Sequence, residues 1–280
     1  MCVIFFYANS QPDSVDGYKL ILASNRDEFF ARDTQQVAKW TDSQQVYGGI
    51  DLEPGREGGT WLAIGSDKGV FKVGALLNLT GEPKPRNAVG RGMIVADFVR
   101  QSDEQYNIAN YNQQLLADCT KYSAFNFVSI EIGDSSKPAE INLLSNVPPT
   151  LAPFKQGQCY GFGNSLPDAP FEKVQYGQQH FDQIVQQHGH SSVETLSAEL
   201  LQLLKNKHKF WPDVELKRRA PSWGEGLSAL NVHIPEHGYG SRTHSLILVD
   251  ANNKLHFIEE TMAGLEPDGE WRRTHIEKQF

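Results

Sequence analysis

Cysteine and long hydrophobic runs are scarce in this sequence, and each shortage excludes a class of protein. The three cysteines show no Cys-x-x-Cys spacing and are odd in number, so we predict neither a disulfide framework nor a zinc site built from them. No stretch approaches the ~18–20 apolar residues of a membrane-spanning helix. The first residues also lack the basic segment of a secretory signal. We therefore expect a protein of a reducing compartment with no transmembrane segment.

Positive charge is the second shortage. The sequence has 26 Lys and Arg against 34 Asp and Glu, which gives a formal net charge of -8. Nucleic-acid binding needs a concentrated basic surface, so we exclude nucleic acid as the main partner. The 280 residues are 39% hydrophobic, enough for a large core. Because we find neither a repeat nor a linker, we predict a single domain over residues 1–280.

The order of predicted elements indicates the fold class. Short apolar runs predict strands at Cys2–Tyr7 and Tyr18–Ser24, and amphipathic stretches predict helices at Phe171–Gln187 and Val193–Lys207. Strands and helices are segregated along the chain, which favours an α+β fold over a parallel βαβ sheet. We predict a four-layer αββα sandwich, with two antiparallel sheets between helical layers and Cys2–Tyr7 as a central strand. The remaining predictions are strands at 61–64, 71–77, 126–132, 140–144, 159–162, 230–234, 243–249 and 255–260, and helices at 92–99 and 107–119.

Cys2 is the most informative residue. Removal of the initiator methionine would leave a cysteine whose free amine and thiol share one α-carbon. A free α-amino group titrates near pH ~8 and can take the proton of a thiol whose own pKa is ~8.5. The alternative interpretation is a small apolar residue at the start of a strand, because free cysteine is commonly buried.

A polar cluster follows the second predicted strand and consists of Asn25, Arg26, Asp27 and Glu28. In an antiparallel hairpin this cluster would lie close to Cys2. It would then be a candidate ligand-binding site that orients an amide or an anion. The alternative is a turn, because Asn and Asp favour turns and helix caps.

Four further residues are candidates for the same pocket. Asn164 follows the strand predicted at 159–162, and its amide could donate to an oxyanion, although Asn also favours turns. Arg242 precedes a strand and could clamp a carboxylate or phosphate, although a surface Arg is the commoner case. Thr60 follows two glycines, and Asn78 ends the strand predicted at 71–77; we expect both at a ligand-binding site.

Histidine spacing gives no metal signal. His233, His237 and His244 lie near one another, but no His-Glu-x-x-His pattern supports ligation. We predict no metal site and no required cofactor.

An ordered set of four blocks spans nearly the whole chain: Met1–Phe6, Asn25–Phe29, Glu57–Leu62 and Tyr239–Thr243. Together they resemble the transport and Golgi organization protein 2 family, also called the NRDE family. The resemblance implies a cytoplasmic protein linked to Golgi organisation, mitochondria, lipid metabolism and haem trafficking. It also implies peripheral association with Golgi or mitochondria, and haem as a transported ligand.

The layout also resembles the N-terminal nucleophile hydrolases, in particular the branch of bile salt hydrolase and penicillin V acylase. That resemblance implies Cys2 as nucleophile, Asn164 as the oxyanion contact and Arg242 as a supporting residue. The Arg-x-x-Asp element of that branch does not match, because Asn25 stands where Arg is expected and Glu28 where Asp is expected. Fold alone does not establish activity.

Two functions of different class follow. In the first, the chain binds or carries a small hydrophobic anionic ligand, such as haem, an acyl chain or acyl-CoA, without turnover. In the second, trimmed Cys2 hydrolyses an amide or thioester, with its own amine as base and Asn164 at the oxyanion. We favour ligand binding, because of the implied family roles and the unmatched Arg-x-x-Asp element.

Overall fold

A computed structural model describes residues 1–43, 45–101, 107–133 and 136–280. The chain divides into two compact units. The first unit comprises Met1–Arg32 and Gly157–Phe280, and the second comprises Asp33–Gln156. The single domain expected from the sequence stays a prediction.

The described residues form strands and helices that we number in chain order. They are β1 (Val3–Ala8), β2 (Tyr18–Phe29), β3 (Thr34–Lys39), β4 (Val46–Asp51), β5 (Leu62–Asp67), β6 (Val70–Asn78), α1 (Gly92–Arg100), α2 (Ile108–Asp118), β7 (Phe125–Ile132), β8 (Glu140–Asn146), β9 (Pro149–Phe154), β10 (Cys159–Gly163), α3 (Glu172–His188), α4 (Val193–Leu204), α5 (Val214–Arg219), α6 (Gly224–Leu227), β11 (His233–Ile234), β12 (Tyr239–Asp250), β13 (Lys254–Met262) and β14 (Trp271–Gln279).

The first unit is built on an antiparallel sheet in the order β10-β1-β2-β12-β13-β14, with β11 paired to β12. The β1 strand is an almost unbroken apolar run and lies inside the sheet, as expected for a strand buried on both faces. In β2, the register pairs Val3 with Asn25 and Ala8 with Leu20. The start of β1 therefore lies beside the polar end of β2.

Helices cover one face of this sheet. The α3 helix packs on β10 and β1, and α4 packs on β12 and β2. The Ser192 side chain caps α4 by accepting a hydrogen bond from the Thr195 backbone N–H. From there, Leu196 and Leu200 recur at four-residue spacing and enter the same core as Val3, Phe5 and Met1.

The second unit has its own antiparallel sheet in sequential order, from β3 to β9. Its α1 helix packs on β5 and β6, and the shared core includes Phe98, Phe125 and Phe127. The β5–β6 hairpin closes through Lys68 and Gly69, both at positive φ, as a two-residue turn of type I′ requires.

The predicted α+β class, with two antiparallel sheets and helices, is confirmed. The predicted pairing of the first two strands is also confirmed, and β1 is an interior strand. The strands β3, β4, β9 and β14 were not expected. Their apolar residues are few or do not alternate regularly. Pairing with neighbouring strands stabilises them as strands.

One boundary prediction was wrong in an instructive way. The sequence predicts that the second strand ends at Ser24, before Asn25–Glu28, but β2 continues through Phe29. The reason is tertiary: β12 pairs with this segment, and buried partners satisfy the polar side chains that otherwise favour a turn. The β12 strand likewise begins at Tyr239, so Arg242 lies within a strand instead of preceding one.

Candidate functional site

The polar end of β2 surrounds the first two residues of the chain. The Cys2 side chain is half-buried, and its Sγ lies 3.8 Å from the backbone carbonyl oxygen of Asp27. The hairpin of β1 and β2 thus brings the predicted nucleophile to the predicted polar cluster.

Met1 is held by side chains from three separate segments. Its ammonium lies 2.8 Å from Asp27 Oδ2 and donates a hydrogen bond of 2.8 Å to the Tyr239 hydroxyl. Lys173 Nζ donates to the Met1 carbonyl oxygen at 3.2 Å and to that of Ala229 at 2.9 Å. Only 5% of Met1 is exposed, and its side chain belongs to the apolar core. We call these three side chains, Asp27, Tyr239 and Lys173, the N-terminal cradle.

Burial controls the electrostatics of the cradle. It lowers the pKa of the Met1 amine and of Lys173, although attraction to Asp27 opposes both shifts. Burial also raises the pKa of the Cys2 thiol, which favours the protonated form. With Met1 in place, the thiol is therefore a poor nucleophile.

Asn25 acts as a connector between β2 and the helical segments. Its Nδ2 donates to the carbonyl oxygens of Leu204 at 2.8 Å and Leu230 at 2.9 Å. Its Oδ1 must then be the acceptor for His244 Nδ1, 2.6 Å away, so this nitrogen carries the proton. Burial lowers the pKa of His244 to about 3, and the ring is neutral.

Asp27 links the cradle to β12. Its Oδ1 accepts a hydrogen bond of 2.5 Å from Ser241 Oγ, which itself accepts one of 2.9 Å from the Val232 backbone N–H. The register pairs Ser241 with Asp27 and Thr243 with Arg26, so Arg242 occupies a β-bulge. Both carboxylate oxygens of Asp27 therefore have a partner inside the protein: Oδ1 accepts from Ser241, and Oδ2 pairs with the Met1 ammonium.

Arg242 and Glu28 turn towards the far end of β2. The buried Arg242 guanidinium donates to the backbone carbonyl oxygens of Phe29 and Arg32. Glu28 pairs with the Arg32 side chain at 3.2 Å and accepts from the Phe29 backbone N–H at 2.9 Å. Both residues stabilise the chain as it leaves β2.

Arg26 and Asn164 lie at the Cys2 end of the sheet. Arg26 is buried, and its charge acts on the Cys2 thiol, where it opposes the rise in pKa that burial causes. Asn164 is buried directly after Gly163, which pairs with Val3. The structure thus brings Cys2, Arg26, Asp27 and Asn164 to one end of the sheet.

Thr60 and Asn78 belong to the second unit. Thr60 is buried, and its Oγ1 donates to the Leu62 carbonyl oxygen at 3.1 Å. Asn78 is exposed at the end of β6. Their expected ligand-binding roles stay predictions.

A cavity of about 300 Å³ opens beside the polar end of β2 and β12. We call it the lysine pocket. Its lining combines cationic, aromatic and small polar side chains: Lys205, Lys207, Asn231, Val232, His233, Ser241, His244, Glu260, Pro267 and Trp271. The His244 and Trp271 rings stack with centroids 4.9 Å apart and 7° between their planes. Ser241 and His244 are the side chains that Asp27 and Asn25 hold, so the polar cluster supports the pocket wall.

Lys173 and the lysine pocket were not predicted from the sequence, and Tyr239 was named only as the first residue of the Tyr239–Thr243 block. One signal was present for Lys173, which lies on the same face of α3 as Gly177 and Phe181, at four-residue spacing. A lysine on an otherwise apolar helix face indicates a buried partner. The pocket has no comparable signal, because its residues come from separate segments.

The fold and the site together define an α+β protein with a buried, ion-paired first residue and an adjacent polar pocket. Within the described residues, no helix is both long enough and apolar enough to cross a lipid bilayer. The sequence pattern of the family described as "Transport and Golgi organisation 2" matches residues 1–264. The chain belongs to this family.

Relatives match over nearly their full length. Transport and Golgi organization protein 2 of Drosophila melanogaster is 73% identical over 280 residues, covering 100% of this chain and 99% of the relative. The homolog of Bos taurus is 33% identical, covering 98% and 97%, and that of Homo sapiens is 31% identical, covering 94% and 93%. Among solved structures, Anbu from Hyphomicrobium sp. strain MC1 aligns with a TM-score of 0.39 and 8% identity, covering 98% of this chain and 87% of that one.

Proposed function

We propose that this protein binds a small hydrophobic anionic ligand, such as haem, an acyl chain or acyl-CoA, with the anionic group in the lysine pocket. The observation that supports this is the composition of the pocket: two lysines and an aromatic wall converge in one concave site. A carrier role is compatible with the words transport and Golgi organisation in the names of the relatives.

The charges of the lining favour an anion. Lys205 and Lys207 face one lining carboxylate, Glu260, and His244 is neutral because burial lowers its pKa to about 3. Lys205 Nζ lies 2.6 Å from Glu260 and Lys207 Nζ lies 3.6 Å from Asp268. Lys207 and Asp268 are both more than half exposed, so their pair is weak and a ligand anion can compete for the Lys207 ammonium. The half-exposed Lys205 ammonium has further donors besides the one that Glu260 accepts.

The size of the pocket limits what enters it. About 300 Å³ is at the lower end of the ~300–1,000 Å³ range for small-molecule sites. The pocket holds the anionic group and the neighbouring part of a ligand, and Trp271 supplies the apolar contact.

Equilibrium binding of oleate, oleoyl-CoA and haemin would test this proposal. The double variant Lys205→Met with Lys207→Met should weaken binding at least tenfold, from loss of about 1.5 kcal/mol of charge-assisted contact. Lys209→Met is the matched control, because Lys209 is similarly exposed and paired, with Glu225, but does not line the pocket. Unchanged affinity in the double variant for every ligand would overturn the proposal.

A second candidate, hydrolysis by Cys2, is favoured by the N-terminal cradle. If Met1 is removed, Asp27 and Tyr239 lose the ammonium that they bind and can hold the new Cys2 amine instead, whereas Lys173 loses one of its two carbonyl acceptors. The thiol would attack the carbonyl carbon of an amide or thioester and pass its proton to that amine. The amine would return the proton to the leaving nitrogen or sulfur, and water would release the acyl group.

Mass spectrometry and thiol labelling separate the two candidates. Protein from its native cell is first analysed for Met1. A trimmed chain whose Cys2 reacts with an acylating probe much faster than Cys119 and Cys159, with loss of acyl transfer in Cys2→Ser, supports hydrolysis. A retained Met1, or an unreactive Cys2 in the trimmed chain, removes this candidate and leaves ligand binding intact.

A further inference from the structure

Two histidines and a glutamate face one another across the last two strands of the first unit. The register pairs His256 of β13 with Glu277 of β14, and Ile258 with His275. Residues two apart on a strand point to the same face, so all three side chains share one face of the sheet. Their donor atoms lie within 4.8 Å of one another.

The distances between the donor atoms fit a small metal ion. His256 Nδ1 lies 3.2 Å from His275 Nε2, and Glu277 Oε1 lies 3.6 Å from the first and 3.7 Å from the second. A point equidistant from all three atoms lies about 2.0 Å from each, which equals the ~2.0–2.2 Å length of Zn–N and Zn–O bonds. The two ring nitrogens are also within hydrogen-bonding distance of each other, so a metal would replace the proton that one of them donates to the other.

We propose that His256, His275 and Glu277 form a binding site for a zinc ion, with one position open to water. Two imidazole nitrogens and one carboxylate oxygen are a donor set typical of zinc, whereas Mg²⁺ and Ca²⁺ prefer oxygen ligands. If both histidines are neutral, each keeps its proton on the ring nitrogen that faces away from the metal.

The surroundings hold the ligands in place and leave a way in. His256 is 5% exposed, whereas His275 and Glu277 have 32% and 48% of their side chains exposed. The site is therefore fixed on one side and open to solvent on the other. Lys254 Nζ lies 2.6 Å from Glu277 Oε2, which orients the carboxylate and leaves Oε1 for the metal.

The site connects the edge strand β14 to β13. Its two β14 ligands lie beyond residue 264, where the match to the family pattern ends. The proposed metal therefore joins β13 to a strand that lies beyond the end of the family pattern, and its ligands include neither Cys2 nor a residue that lines the lysine pocket.

Zinc titration of the full chain, after metal removal by a chelator, tests the site. We expect one Zn²⁺ per chain with a micromolar or lower Kd, a rise in Tm on zinc addition, and no saturable response to Mg²⁺. Both His275→Ala and Glu277→Gln should weaken zinc binding at least tenfold. We expect both variants to fold, because His275 and Glu277 are partly exposed on the edge strand β14. Circular dichroism of each variant checks this.

Two further variants sharpen the result. His233→Ala is the control, because His233 is also half-buried and near a carboxylate, Asp268, at 3.8 Å, and it should leave zinc affinity unchanged. Lys254→Met removes the ammonium that orients the Glu277 carboxylate and should weaken zinc binding about tenfold. Cobalt substitution should give d–d bands without a thiolate charge-transfer band, which separates this site from the cysteines.

The outcomes decide the proposal. Absence of stoichiometric zinc binding would overturn it. Equal zinc binding by the native chain, His275→Ala and Glu277→Gln would also overturn it, as would a thiolate band in the cobalt spectrum.

Discussion

The buried polar groups of the first unit differ in kind from those of the second. Among the described residues, the buried polar side chains of the second unit are uncharged and are Thr60, Ser66, Asn112, Asn126, Ser129, Ser145 and Asn146. Those of the first unit include ionisable side chains, among them Arg26, Asp27, Lys173, Arg242 and His244.

The energies of the two groups differ accordingly. A buried neutral amide such as Asn146 needs only hydrogen bonds, and it accepts one of 2.7 Å from the Phe125 backbone N–H and donates one of 3.1 Å to the Cys119 carbonyl oxygen. A buried ion costs several kcal/mol unless it is paired, as Asp27 is with the Met1 ammonium. The first unit therefore has to compensate buried charges, which the described residues of the second unit do not contain.

Asp27→Asn should cause the largest loss of stability. It removes the carboxylate charge but keeps the shape, and it leaves the buried Met1 ammonium without a counter-ion. We expect the free energy of unfolding to fall by about 3–5 kcal/mol, measured by urea unfolding. A loss below that of an average hydrogen bond would show that the pair is not buried in solution, and the contrast between the units would weaken.

Acidification should destabilise the first unit through His244. Its pKa is about 3 in the folded state and ~6.5 in the unfolded chain, so the unfolded chain takes up the proton first. The contribution of the neutral His244 ring to the free energy of unfolding is fully present above pH ~6.5 and is lost as the pH falls towards 3. Between pH 7 and 5 the free energy of unfolding should fall by about 2 kcal/mol from this group. His244→Gln keeps a donor for Asn25 and should show a shallower dependence on pH. If the free energy of unfolding changed equally with pH in the native chain and in His244→Gln, His244 would not be the group responsible.

Ser129→Ala tests the neutral polar groups of the second unit. Asn112 Nδ2 donates to Ser129 Oγ at 2.8 Å in a buried position. Loss of this acceptor should lower the free energy of unfolding by about 1 kcal/mol. A loss as large as that of Asp27→Asn would remove the distinction between the two units.

Asp118→Asn should have the smallest effect. Asp118 pairs with Lys121 at 2.7 Å on the exposed surface of the second unit, with 64% of its side chain accessible. Exposed pairs contribute little because water and salt screen them, so the urea midpoint should stay unchanged. This variant is the reference for an ion pair without burial.

The sequence alone was sufficient to predict the fold class and to place Cys2 beside the polar cluster Asn25–Glu28. Hydrophobic runs at β1, β6 and β7 and the stripes on α3 and α4 are local signals, and they predict strands and helices because burial needs a regular spacing of apolar residues. The resemblance of the ordered blocks likewise identified the family, which the comparisons show.

Only the tertiary structure decided the hydrogen-bond and ion-pair partners of the buried polar side chains. Asn25 and Asp27 also fit a turn by residue type, yet both lie inside β2, because His244, Ser241 and the Met1 ammonium provide their partners from distant segments. Neither the N-terminal cradle nor the lysine pocket could be read from the sequence, since each is assembled from segments far apart in the chain. Local spacing determines which face of an element is buried; which charges meet inside is determined by the pairing and register of the strands.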